Sequence, residues 1–161
     1  MVISSDLRIK KRSERVLRNL NSVIGKELPR AHKVITFEKF GATIISAHRG
    51  RVEIECEVIP DMANPLGFLH GGVQCILIDD VIALTAITLG NRHFPISVNL
   101  QINFLSKARV GNKLRIKAKI TQEGNKIINA SAKIVNNDGK LIAVGQTILL
   151  NTQISRDPKN S

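Results

Sequence analysis

Between Gly71 and Leu89 the chain carries its most apolar run, broken near the middle by two adjacent carboxylates, Asp79 and Asp80. That texture predicts one long buried helix, with too much charge to cross a bilayer comfortably. On either side the pattern changes to period two. Arg51–Ile59 alternates Val52, Ile54, Cys56 and Val58 against Arg51, Glu53, Glu55 and Glu57, which predicts a strand with one buried and one wet face. Pro95–Leu105 sets Ile96, Val98, Leu100, Ile102 and Phe104 against Ser97, Asn99, Gln101 and Asn103. Lys113–Thr121, Lys126–Val135 and Lys140–Leu150 continue the series, and Val34–Ile45 precedes it. Glu123-Gly124-Asn125 and Asn136-Asn137-Asp138-Gly139 supply tight turns between the later strands. Ahead of them all, Val16, Leu17, Leu20, Ile24 and Leu28 fall at helical spacing within residues 5–30. Ser4, Ser5 and Asp6 are candidate N-caps there, and Pro29 is the stop.

Six antiparallel strands share one apolar face, and only the 71–89 segment is apolar enough to cover it. The expected fold is α+β: a six-stranded antiparallel sheet wrapped around one long central helix, with an extra N-terminal helix. A length of 161 residues suits one such domain. The pattern divides it into a basic helical extension at 1–33, the sheet-and-helix domain at 34–150 and a polar tail at 151–161.

Charge and composition narrow the partners. The net charge is +11, and residues 1–33 carry nine Lys and Arg against three Asp and Glu. Such a balance attracts polyanions: nucleic acid, anionic lipid or a phosphate-rich small molecule. Aromatic content is 3%, all of it Phe, so stacking on nucleic-acid bases has little to work with. Cys56 and Cys75 lie in apolar runs, in neither a disulfide framework nor a metal-type pair, and no metal site is expected. With no signal-like segment and no candidate span, the expected location is cytoplasmic.

Candidate chemistry gathers around the central helix. A buried Asp needs a partner, and residues 79 and 80 point about 100° apart on a helix, so they meet different surroundings. One can be functional while the other is a hydrogen-bonding or solvated residue. His70-Gly71-Gly72 opens the helix, where free N–H groups and the dipole favour a developing negative charge. The same residues would also serve as a plain loop-to-helix turn.

Together, Asn64, Gly67, His70, Gly71, Gly72 and Asp79 form the pattern Asn-x-x-Gly-x-x-His-Gly-Gly followed by an Asp in the helix. It resembles the hotdog-fold acyl-CoA thioesterases, of the phenylacetate-pathway and thioesterase-superfamily-member-2 type. The likeness extends through the Ser97-bearing strand, Ala108–Gly111 and Gly139–Ala143, and covers about residues 35–150. The resemblance implies hydrolysis of acyl-CoA thioesters to free acid and coenzyme A. Asp79 would act as nucleophile or general base, the Gly71 N–H would polarise the carbonyl, Asn64 would orient the water or the carbonyl, and Ser97 would help hold the water. His70 would support the loop, and Gly72 would line the substrate site. It further implies a site between two subunits of a homodimer, with tetramers common among relatives. Coenzyme A then enters only as part of the substrate, with no separate cofactor.

Its phosphates give the basic charge a candidate partner, and Lys107, Arg109 and Lys126 sit at strand ends where they could meet them; a cation in such a place is more often only a solvated charge. A dehydratase of the same fold is disfavoured because the central helix has no Glu. A binder that senses acyl-CoA without hydrolysing it is the alternative to the enzyme.

Overall fold

The computed structural model describes residues 2–26 and 34–155. In chain order these form α1 (Val2–Asn21), α2 (Ile35–Phe40), β1 (Thr43–His48), β2 (Arg51–Glu57), a 3₁₀ turn (Pro60–Met62), α3 (Gly71–Ile87), β3 (His93–Phe104), β4 (Lys113–Glu123), β5 (Ile127–Asn136) and β6 (Leu141–Ser155). The strands make one antiparallel sheet in the order β1-β2-β4-β5-β6-β3, which leaves β1 and β3 at its edges.

Helix α3 lies on the inner face of this sheet. Leu77, Ile78, Val81, Ile82 and Ala86 are buried against Ile54, Leu114, Ile116, Ile128, Ile134 and Leu149. A row of small side chains lets the sheet close on the helix: Val52, Ala118, Ala132 and Gly145 follow one another across β2, β4, β5 and β6 in register. Gly145 is the tightest point, since a Cβ there would sit 2.8 Å from Ile78 Cγ2. Close packing of this kind excludes even one added methyl.

The C-terminal end of α3 is closed by α1. A helix leaves its last carbonyls without intrahelical partners and its C-terminus favours cations. Here Ser13 Oγ donates to Thr88 O at 2.6 Å and Arg12 Nε donates to Gly90 O at 2.7 Å. Gly90 has φ +81 and lies so close that a Cβ would be 2.4 Å from Ile9 O. The basic extension is thus seated on the domain through residues 9–20, with Leu20 buried and Val16 and Leu17 packed on the core.

Four expectations change. Helix α1 runs Val2–Asn21, so Ser4, Ser5 and Asp6 lie within it and not at its cap. The strand expected over Val34–Ile45 is divided: α2 occupies Ile35–Phe40, and β1 starts only at Thr43. Gly41 ends the helix in the left-handed region at φ 59, and the Asp80 carboxylate accepts bonds at its first turn. Period-two apolar spacing carried no sign of either. The polar tail expected at 151–161 is strand through Ser155, because β6 stays paired with β3 to its end, Asn151 opposite Pro95 and Ser155 opposite His93. Residues 156–161 lie outside the described residues, as do Leu28 and Pro29. Finally, β3 is not a simple alternating strand. A bulge at Val98 shifts its register against β6 between Ser97 and Asn99.

Candidate active site

That bulge brings Ser97 to Asp79. Ser97 pairs with fully buried Leu149, whereas Ile96 pairs with exposed Leu150. Beyond the extra residue the phase is reversed, so Leu100, Ile102 and Phe104 pair with the buried Thr147, Gly145 and Ala143. Ser97 therefore faces α3 along with the later even-numbered residues, although strict alternation put it on the opposite side. Its hydroxyl donates to Asp79 Oδ1 at 2.7 Å. Both side chains are half-buried, so the carboxylate keeps a path to water.

Asp80 turns to a different neighbour. Its Oδ2 accepts from Thr36 N at 3.0 Å and from Thr36 Oγ1 at 2.6 Å, capping the first turn of α2. The helix thus separates the adjacent carboxylates, one toward β3 and one toward α2. Thr36, fully buried, had no signal as Asp80's partner in the sequence because its own segment read as strand.

The N-terminus of α3 is built around His70. Its backbone is extended, and Nδ1 accepts from Gly72 N at 2.9 Å, making it the N-cap. An accepting Nδ1 carries no proton, so the proton of the neutral ring is on Nε2. Gly72's N–H is consequently occupied. The Gly71 N–H has no hydrogen-bond partner among the described residues. The preceding loop is held by Asn64, whose Oδ1 accepts from Leu66 N at 3.0 Å and Phe68 N at 3.1 Å. Asn64 can then offer only its Nδ2 to a ligand. The Phe104 ring lies over Gly71, 3.4 Å from where a Cβ would be.

The three candidate phosphate-binding cations do not converge. Lys107 and Arg109 both sit over the Phe68 ring, at 4.8 and 4.7 Å from its centroid, near the N-terminal end of α3. Lys126 is at the other end, where its carbonyl accepts from Asn151 N and Asn151 Oδ1 accepts from Asn91. A cleft of about 890 Å³ at that far end, between α1 and Arg92, contains none of the candidate residues. Among the described residues no group of three or more His, Cys, Asp or Glu could hold a metal ion, and no helix is long and apolar enough to cross a membrane.

Gly71 and Asp79 are separated by about 12 Å along one helix axis, at 1.5 Å per residue. One thioester carbonyl cannot meet the N–H and the carboxylate of the same chain. The chemistry is nonetheless coherent: a positioned carboxylate, a hydroxyl that orients it, and a free amide at a positive helix end suit nucleophilic attack on a polarised carbonyl.

The thioesterase superfamily model matches residues 66–143. Acyl-coenzyme A thioesterase 13 of Mus musculus is 34% identical over 106 residues, covering 65% of this chain and 75% of that protein. The E. coli PaaI protein from the phenylacetic acid degradation operon has a TM-score of 0.75 at 20% identity, over 89% of this chain and 97% of its own. A Streptococcus mutans protein solved bound to acetyl CoA gives 0.70 at 23% identity, over 80% and 100%. The two structural likenesses speak to the fold, and the mouse relative to the family. By its likeness to the mouse relative this chain belongs to the thioesterase superfamily, the hotdog-fold thioester hydrolases.

Proposed function

We propose that the protein hydrolyses acyl-CoA thioesters to a free acid and coenzyme A, at sites shared between the two chains of a homodimer. The observation that carries this reading is the 2.7 Å bond from Ser97 to Asp79 on the inner edge of the sheet. The acyl-CoA named for the mouse relative supports the substrate class.

The Gly71 N–H receives the thioester oxygen, and the positive end of α3 stabilises the oxyanion as it forms. Asp79 of the other chain faces the carbonyl carbon. Its carboxylate either bonds to that carbon, expelling the coenzyme A thiolate and leaving a mixed anhydride for water to cleave, or takes a proton from the water that attacks. Ser97 fixes one Asp79 oxygen in both routes. Asn64 Nδ2 donates to the carbonyl or the water, and His70 holds Gly71 in place through the helix cap. Lys107 and Arg109 meet the phosphates of coenzyme A, and no separate cofactor enters the scheme.

Sharing between chains rests on two features. The 12 Å estimated between Gly71 and Asp79 within one chain is too far for one carbonyl. Edge strand β3 carries no charged residue from Phe94 to Leu105 and exposes Ile96, Val98 and Phe104, an apolar edge with no charge to keep a second copy away. The test is release of free thiol from a panel of acyl-CoAs of differing chain length and aryl content. Release from at least one is expected; none from any would overturn the hydrolase and leave an acyl-CoA binder.

A further inference from the structure

Phe68 is the one aromatic ring that carries cations among the described residues, and it carries two. Lys107 Nζ lies 4.8 Å and Arg109 Cζ 4.7 Å from its centroid, well inside cation–π range. The backbone fixes the arrangement. Phe68 and Arg109 form an isolated antiparallel bridge, Leu69 N donates to Ala108 O at 2.9 Å, and Arg109 N donates to Asn112 Oδ1 at 2.9 Å. Phe68 N in turn donates to Asn64 Oδ1. One residue therefore links the two cations to the Asn64 loop, three positions before Gly71.

Neither cation has an acidic partner among the described residues. Of the acids nearby in the chain and sheet, Glu57 stands in register with Lys113 and Asp61 lies on the 3₁₀ turn. Two like charges held around one ring repel each other, and a carboxylate would ordinarily relieve this. The ring orders both side chains without neutralising either. Stacked over a ring, a guanidinium keeps its edge N–H groups free for phosphate oxygens.

We propose that Phe68 is a positioning residue, which presents Lys107 and Arg109 as a paired clamp for the diphosphate of the coenzyme A part of the substrate. This rests on the acyl-CoA reading above. The ring lowers the ordering cost of two flexible cations before substrate arrives, so its effect falls on capture and not on the chemical step.

The test compares one acyl group carried on coenzyme A and on pantetheine, which lacks the phosphates. Phe68→Leu keeps apolar bulk and removes the aromatic face. It is expected to raise KM for the acyl-CoA about tenfold at little change in kcat, and to lower the acyl-CoA to acyl-pantetheine ratio of kcat/KM by the same factor. Phe68→Tyr is expected to restore that ratio, and Lys107→Gln with Arg109→Gln to reproduce the loss. An unchanged ratio in Phe68→Leu, or no rescue by Tyr, would show that Phe68 only packs the loop and overturn the proposal. If the wild type hydrolyses no acyl-CoA of the panel, the hydrolase reading fails separately. Calorimetric titration with free coenzyme A against pantetheine then decides the clamp: weaker coenzyme A binding in Phe68→Leu alone supports it, and equal binding overturns it.

Discussion

Ser97 Oγ lies 2.7 Å from Asp79 Oδ1, across the junction between the central helix and an edge strand. The bond occupies one carboxylate oxygen and sets the direction of the other. Removing the hydroxyl leaves the charge in place but its orientation free. Ser97→Ala is expected to lower kcat about tenfold to a hundredfold, with KM less affected, since small misplacements of a reacting group have that effect. Steady-state kinetics on a good substrate measures this. Unchanged kcat would mean the hydroxyl does not position Asp79.

Asp80 is expected to behave in the opposite way from its neighbour. Its Oδ2 accepts two bonds from Thr36, so Asp80→Ala removes the cap of α2 and leaves buried donors unpaired. The expected loss is about 2–4 kcal/mol of stability, read by urea denaturation, with turnover per folded molecule close to wild type. Thr36→Val should lose part of the same energy, and the two losses should not add. Loss of activity at unchanged stability would assign the chemistry to Asp80.

The proposed homodimer has its own prediction. Val98 sits in the β3 bulge, 58% exposed on a sheet edge with no charge to protect it. Val98→Lys puts a charge where two edges would meet, so sedimentation should show a shift toward monomer and thiol release should fall with it. Full activity in a verified monomer would rule out shared sites.

The two cysteines should differ in reactivity. Burial, with help from the neighbouring Glu55 charge, pushes the Cys56 thiol up to about 12, so it stays protonated at pH 8 and does not attack a disulfide reagent. Cys75 is only partly buried and lies one helical turn before Asp79, on the same face of α3. The native protein should titrate one thiol quickly and the second only after unfolding. Modification at Cys75 should slow thioester hydrolysis. Rapid reaction of Cys56 would contradict its burial. The sign for stability follows: folding holds the Cys56 proton, so this group adds a penalty only as pH rises above the ordinary thiol value of 9.0 toward 12.

Much of this architecture was legible because it follows from local periodicity. The apolar run at 71–89 had to be covered, and the alternating strands from Arg51 onward were the only partner for it. What escaped the sequence depends on contacts distant in the chain. Ile35 and Phe37 alternate like strand residues, but a carboxylate more than forty positions away caps them into a helix. Ser97 alternates away from Ile96 and Val98, yet a one-residue bulge turns it toward α3. The motif named Asn64, His70, Gly71 and Asp79, and geometry added how two of them are committed: Asn64 Oδ1 to its own loop, His70 Nδ1 to Gly72. Lys126 resembled Lys107 and Arg109 as a strand-end cation, and only the sheet order puts it at the far end of α3. Phe68 gave no signal at all, because its contacts with Lys107 and Arg109 arise between two loops.

The central claim is that Asp79 performs the reaction. Thiol release by Asp79→Asn measures it most directly, using a folded dimer and the substrate the wild type turns over best. The amide keeps size and can still accept from Ser97, but it cannot attack or take a proton. The account predicts a fall in kcat of at least about 10²-fold with the fold and oligomeric state intact. Activity within a few-fold of wild type would contradict it.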